Sequence, residues 1–391
     1  MANKSVYWIG VFAFFFFKSS AQQLTINVKN NLSFNRKEII AIPRKVLLPL
    51  LSQDPESVIA IKSTENSDFQ RTQWMDNNTD GIADELLFLA EVGANATAIY
   101  TISAVKDLIV EDEVGAAFSR FVPERSDDYA WENDKVAFRT YGPKGQEEAL
   151  KGVAGSTLSS GIDIWLKRTN YSVIDNWYKK NIQTPGYYHT DHGEGYDPYH
   201  VGKSRGVGGL GIWENGNLLV SDNFVSYKTI AVGPLRTVFE LAYAPWSSYE
   251  ITETKRISLD LDASFSKFEV SLKAKNNVPN YAIGLTTHEN KGTAELRTKT
   301  GWFRYWEKID DAFVGEGIVV NPKIISAAFA NITNVEDQSN ILILTEPTEK
   351  LVYYAGFAWQ KSGQVSTAED WDAMLEKQAA IIANPLEILI K

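Results

Sequence analysis

The sequence predicts an all-β protein: a large antiparallel β-sandwich or supersandwich with one C-terminal helix. Short apolar runs rich in Val, Ile, Phe and Tyr recur along the chain, several alternating with period two, between turns of Gly, Asn or Pro. Trp, Tyr and Phe total 47, which suits pleated, half-buried surfaces, although sugar stacking uses the same residues. Helical signals are confined to short pieces until Ser366-Thr367-Ala368-Glu369, which reads as a capping box.

Met1 to Ala21 reads as a secretory signal. Lys4 gives the positive start, Val6 to Phe17 the apolar run, and Ser19-Ser20-Ala21 the small-residue cleavage site. Export to a periplasm or the medium is therefore expected, without membrane insertion, since no later run is long enough to span. The chain has no cysteine, which excludes disulfides, thiol catalysis and thiolate metal sites. Removing the signal takes away Lys4 and Lys18 and leaves 37 basic against 49 acidic side chains, a formal charge of −12. Nucleic acid is not an expected partner of so acidic a surface.

In chain order, Gln23 to Val28 alternates as a strand, and the apolar runs Glu38 to Ile42 and Lys45 to Leu51 extend an N-terminal β-module. Asp76, Asn78, Asp80, Gly81 and Asp84 have the spacing that opens a calcium loop, but Leu87 stands where the bidentate Glu is required. A tight acidic turn before the strand Glu85 to Leu89 is the plainer reading. Ala98 to Val105 and Leu108 to Val110 are strands. Glu124, Arg125, Asp127, Asp128, Glu132, Asn133 and Asp134 crowd a loop before the strand Val136 to Tyr141, with Arg139 and Phe138 on opposite faces. Lys144 to Ser160 reads as a linker, Gly161 to Lys167 as a strand, and Ile174 to Lys180 as an amphipathic turn. Seven strands then follow with hairpin-like connections: Leu210 to Glu214, Leu218 to Ser221, Tyr227 to Val232, Leu235 to Tyr243, Tyr249 to Leu259, Phe265 to Lys273 and Tyr281 to His288. Arg304 to Lys308, Gly317 to Val320, Ile341 to Leu344 and Leu351 to Trp359 continue the pattern. The final helix reaches about Ala383, with Trp371, Met374, Leu375 and Ala379 on one face.

One loop stands apart. Tyr187 to Gly211, YYHTDHGEGYDPYHVGKSRGVGGLG, holds three of the four histidines (His189, His192 and His200) within twelve residues. Asp191, Glu194, Asp197 and four tyrosines interleave them, and seven glycines argue for a loop. Groups that titrate near neutrality on such a loop point to binding or catalysis.

The blocks FVPERSDDYAWEND, VAFRTYGP, GIDIWLKR, YHTDHGEGYDPYHVGKSRGVGGLGIW and VGPLRTVFELAY, in that order, resemble a family of exported bacterial proteins long known only as a domain of unknown function and encoded in polysaccharide-utilisation loci beside glycoside hydrolases and lyases. The resemblance runs from about Gln23 to Ala383. It implies a carbohydrate-active β-sandwich over residues 22–391, with residues 22–115 as an N-terminal module, and an oligosaccharide substrate bearing uronic acid.

On such a substrate, elimination across C4 and C5 needs a base, a cation for the C6 carboxylate and an acid for the departing oxygen. His189 or His192 supplies the base and Tyr188 or Tyr196 the acid. Lys203, Arg205 or Arg236 supplies the clamp, with Arg139 and His288 as further substrate-binding candidates. Loss of the sugar's own 4-hydroxyl is dehydration; loss of the next sugar is chain cleavage. Neither outcome requires a cofactor. Three alternatives stand beside this reading. One is a divalent-metal site, zinc or calcium, on His189, His192, His200 and Asp197. Another is glycoside hydrolysis by two carboxylates from Glu194, Asp197 and Asp163. The last is a non-catalytic sugar-binding protein using Trp131, Trp165, Trp177 and Trp213 as platforms.

Overall fold

A computed structural model describes residues 23–52, 57–65, 69–106, 108, 115–198, 201–335 and 337–391. The expected signal at 1–21, all but Leu108 of the expected strand Leu108 to Val110, and the metal candidate His200 lie outside the described residues. Strand makes up 48% of the structure and helix 15%, so the all-β expectation holds.

The main body is a sandwich. One layer is an eight-stranded sheet. Its first four strands form a meander, Phe224–Ala231, Arg236–Trp246, Ile251–Asp260 and Phe265–Lys273; the sheet then continues through Lys350–Trp359, Ala312–Val320, Trp302–Ile309 and Thr293–Arg297, antiparallel throughout. The facing layer consists of two five-stranded sheets. The first is ordered Gly195–Tyr196, Asp163–Lys167, Ala137–Thr140, Asp128–Glu132, Phe118–Val122, and the second Asn217–Leu219, Val207–Glu214, Tyr281–Thr286, Asn340–Thr345, Ile325–Asn331. A parallel bridge between Ile162 and Gly206 joins them. Alternate residues of all three sheets, among them Trp131, Phe138, Ile164, Leu166, Ile283, Phe268 and Tyr353, form one core.

The N-terminal residues build a four-stranded and a three-stranded sheet around a smaller core that includes Ile26, Ile42, Leu86, Phe88 and Ile102. The last strand, Glu387–Ile390, pairs with Gln23–Lys29 and so joins the two ends of the described chain. The reverse face of the three-stranded sheet meets the eight-stranded sheet through Met75, Leu87, Leu235, Val238 and Leu261. Gln73 ties that contact, donating to Arg236 O at 2.8 Å and accepting from the amides of Leu235 and Arg236.

Several expectations shift. Lys45 to Leu51 lies in a helix, Arg44–Leu51, whose buried Leu47 and Leu50 are spaced i, i+3. The crowded acidic loop contains the strand Asp128–Glu132, fully buried, because its acids are paired internally. The linker Lys144 to Ser160 begins inside the helix Pro143–Leu150, and the turn at Ile174 is the helix Ile174–Gln183. The seven-strand run divides between two layers: Val207–Glu214, Asn217–Leu219 and Tyr281–Thr286 sit in a five-stranded sheet, and only the four between them form the meander. The capping box falls one residue late. Thr367 Oγ1 accepts from the Asp370 amide at 3.2 Å, and Asp370 Oδ2 accepts from the Thr367 amide at 2.9 Å. The helix Ala368–Ala383 then lays Trp371 and Leu375 on Gly315 and Gly317 of the outer sheet face, with Met374 and Ala379 beside them as expected. The Asp76 loop is the tight turn read from sequence: its carboxylate accepts from the amides of Thr79, Asp80 and Gly81.

Candidate functional site

The first five-stranded sheet puts apolar residues inward and a row of charges outward. Ala130 pairs with Arg139, and Arg139 with Asp163, so period-two alternation places these three on the outer face with Asp128, Ala137, Trp165 and Lys167. The helix Ile174–Gln183 and the histidine loop cover this face. Glu132 docks the helix by accepting from the Val173 and Ile174 amides at 2.9 and 3.0 Å, the favoured place for a carboxylate at a helix N-terminus. Trp177 and Tyr178 then lie against Trp165. The loop is anchored as firmly. Asp191 pairs with Arg168 and accepts from the Gly193 amide, Glu194 accepts from Trp177 Nε1 at 3.0 Å, and the Asp197 amide donates to Tyr188 O at 2.7 Å.

Arg139 is the hub. Its Nη2 lies 2.5 Å from Asp163 Oδ2 and 2.7 Å from Asp197 Oδ2, its Nε donates to Asp163 at 2.9 Å, and its Nη1 donates to the Tyr188 hydroxyl at 3.3 Å. Asp128 Oδ2 lies 3.8 Å from Nη1 and accepts from Tyr178 at 3.2 Å. Arg125, half-buried, donates from Nε to the same Tyr188 oxygen at 3.2 Å. Arg125 and Asp128 flank a turn whose Ser126 and Asp127 adopt φ of 51° and 65°. That turn is seated on Gly142, where a Cβ would fall 1.9 Å from Asp127 O.

Three carboxylates and two guanidinium groups buried together do not all keep their ordinary charges. Burial pushes Asp128 up to about 6, against the pull of Arg139 and Arg125. Burial and then the neighbouring Asp163 hold Asp197 well above the usual carboxylate range. Burial disfavours charge on Arg139 as well, but Asp163 and Asp197 outweigh it and hold the guanidinium protonated. Asp163 Oδ1 and Asp197 Oδ1 are buried and have no hydrogen-bond partner among the described residues.

His189 is where this network meets solvent. Its side chain is 54% exposed, while Nδ1 sits 3.3 Å from Asp197 O and 3.5 Å from Asp197 Oδ2. Burial of its inner edge lowers its pKa below 6.5, and Arg139 and Arg125 add to this despite the opposing contact with Asp197 O. The ring is therefore neutral at pH 7. With Nδ1–H directed at Asp197 O, Nε2 is left as a basic site.

The structure brings together five of the sequence candidates: His189, Tyr188, Arg139, Asp163 and Asp197. It distributes the others. His192 stacks on Tyr187 at 4.0 Å, with Nε2 3.2 Å from Tyr187 O. Tyr196 faces the sandwich interior and donates to Asp310 at 2.6 Å. Lys203 and Arg205 line a second cleft, and Arg236 lines a third, where it forms a bidentate pair with Asp260 at 2.5 and 2.7 Å. His288 lines a further cleft, its Nδ1 3.3 Å from Glu307. Trp131, Trp165 and Trp177 are core residues, whereas Trp213 keeps partial exposure. Among the described residues no three His, Asp or Glu side chains are grouped to hold a metal ion. Arg125 and Asp128 are the site members that sequence reasoning left in a bracing loop. Their signal was the acid-and-arginine crowding of PERSDD, which does not tell a surface ion-pair loop from a buried one.

Fold and site together define an all-β sandwich protein with a buried carboxylate–guanidinium centre that opens to solvent at one histidine. The chain belongs to the family described as Domain of unknown function (DUF4861), which it matches over residues 28–388. The "Uncharacterized protein P7" of Formosa agariphila is 41% identical over 379 residues, covering 96% of this chain and 95% of that protein. Among solved structures, a glycosyl hydrolase family 38 protein from Enterococcus faecalis aligns at a TM-score of 0.49 and 8% identity over 96% of this chain. An α-mannosidase from Enterococcus faecalis V583 aligns at 0.44 and 8% over 94%. The chain spans about half the length of these two solved chains, 48% and 46%.

Proposed function

We propose that the protein is an exported carbon–oxygen lyase that removes water from the non-reducing-end uronate of an oligosaccharide, leaving a C4–C5 unsaturated sugar. The observation that carries this is His189, a neutral, half-exposed imidazole whose Nδ1 is held at Asp197 and whose Nε2 is free to take a proton. In this reading His189 Nε2 takes the C5 proton. Arg125, half-buried beside it, neutralises the C6 carboxylate so that negative charge can develop at C5. The His189 imidazolium so formed is the group of this centre that faces solvent, and it returns the proton to the departing 4-hydroxyl, while Tyr188, 2% exposed, accepts from Arg125 and Arg139 and holds them in place. The C5–H electrons form the C4–C5 double bond as the C4–O bond breaks, and water leaves.

Hydrolysis by Asp163 and Asp197 fits less well. Both carboxylates are engaged by Arg139, and their side chains are 1% and 0% exposed, which keeps a sugar from reaching them. The test is incubation with a panel of oligouronates, reading ultraviolet absorbance of the conjugated acid and product mass together. The proposal expects absorbance to rise and mass to fall by one water without chain shortening. Reducing ends released without an absorbance gain would overturn it in favour of hydrolysis, and an absorbance gain with shortened chains would make the enzyme a chain-cleaving lyase.

A further inference from the structure

The cleft at Lys203 and Arg205 has features that the His189 centre does not use. Its volume is about 650 Å³, within the range of small-ligand sites. Arg205, 1% exposed, runs from the cleft into the core and braces the cleft from behind: Nη1 donates to Ser160 Oγ at 2.9 Å and to Leu210 O at 3.3 Å, and Ser160 Oγ donates onward to O of the lining residue Ser221 at 2.8 Å. Asn340 Oδ1 fixes the Arg205 amide at 2.9 Å. Gly284 makes room for the arginine stem, since a Cβ there would fall 2.3 Å from Arg205 Cγ. One buried polar atom of the cleft lining, Ser221 Oγ, has no hydrogen-bond partner among the described residues. Buried donors are rarely left unmatched, so a cleft lined by one calls for a polar occupant. In the same lining, Trp213 is held edge-on against Phe329 at 5.4 Å and offers partly exposed indole surface. Asn217 supplies a rim amide, and Lys203 is exposed and makes no ion pair among the described residues.

We propose that this cleft is a second glycan-binding site, distinct from the His189 centre, which takes an acid-bearing pyranose. The pyranose's apolar face lies on Trp213, its hydroxyls reach Ser221 and Asn217, and its anionic group meets Lys203. The choice of sugar rests on the carbohydrate reading above, whereas the existence of a polar-ligand site rests on the cleft itself.

The test is calorimetry in a His189→Ala background, which separates binding from turnover. The probes are oligouronates of two to four sugars and neutral cello-oligosaccharides of the same length. The expected result is oligouronate binding that weakens at least tenfold in Lys203→Ala and in Trp213→Ala, with cello-oligosaccharides binding less tightly. If Trp213→Ala lowers the melting temperature, Lys203→Ala and Asn217→Ala, both at the exposed rim, decide. Affinity unchanged in the rim variants, or no oligosaccharide binding at all, overturns the proposal. Wild-type turnover is assayed in parallel: tenfold losses with no turnover by the native protein keep this site and remove the lyase reading.

Discussion

At the scale of single residues, Arg139 and His189 differ in what their loss does. Arg139 bonds Asp163 and Asp197 and lies beside Asp128, so Arg139→Ala leaves three buried carboxyl groups facing one another without their cation. The expected cost is about 3–5 kcal/mol, read by urea denaturation. His189 is half exposed and packs little, so His189→Ala should leave the melting temperature nearly unchanged while lowering turnover by roughly 10²–10⁴-fold. With its pKa lowered, the acid limb of the rate profile should lie below pH 6.5 and vanish in that variant. Asp128 gives a stability signature. Its carboxyl rises from an ordinary pKa of 3.8 to about 6 in the fold, so between those values the folded state binds more protons than the unfolded chain. Its contribution is therefore intact at the acid end and declines as pH rises from about 4 to 6. Asp128→Asn should remove that decline, gaining stability relative to the native protein at about pH 7 compared with about pH 4 in matched urea titrations.

At the scale of elements, the site depends on a hairpin and a helix that position its side chains. The Ser126–Asp127 turn requires the bare Gly142, so Gly142→Ala must push that turn outward and carry Arg125 and Asp128 with it. The expectation is a loss of about 1–3 kcal/mol together with a fall in turnover, whereas a purely structural turn would change only the first. The C-terminal helix is remote from this chemistry. Thr367→Ala removes its cap and should cost about 1 kcal/mol in thermal unfolding, with turnover unaffected.

At the scale of the molecule, the two layers of the sandwich meet in one core, and the N-terminal sheets are joined to it through Gln73 and to the C-terminus through the strand Glu387–Ile390. Arg36 reinforces that closure by donating to Asn384 O at 2.7 Å. Deleting residues 385–391 leaves the strand Gln23–Lys29 as an open edge with unpaired amides. A lower melting temperature and a greater tendency to aggregate are expected, and differential scanning with light scattering checks both.

Local patterning along the chain determined most of the secondary structure: alternation located the strands, the Thr367 region the last helix, and the histidine loop one end of the site. These are properties of neighbours in sequence, set by side-chain spacing and backbone preference. Pairing between distant strands decided the rest. Nothing near Leu210 marks it as belonging to a different layer from Tyr227. Likewise, nothing near Asp128 shows that it is buried against Arg139 instead of solvated, because the sign and cost of a charge depend on what the fold packs around it. The same holds for Lys203, Arg205 and Arg236, which the sequence offered as one anionic clamp. Sheet topology placed Lys203 and Arg205 at one cleft and Arg236 at another, and left Arg125, which shares the Tyr188 oxygen with Arg139, close to His189.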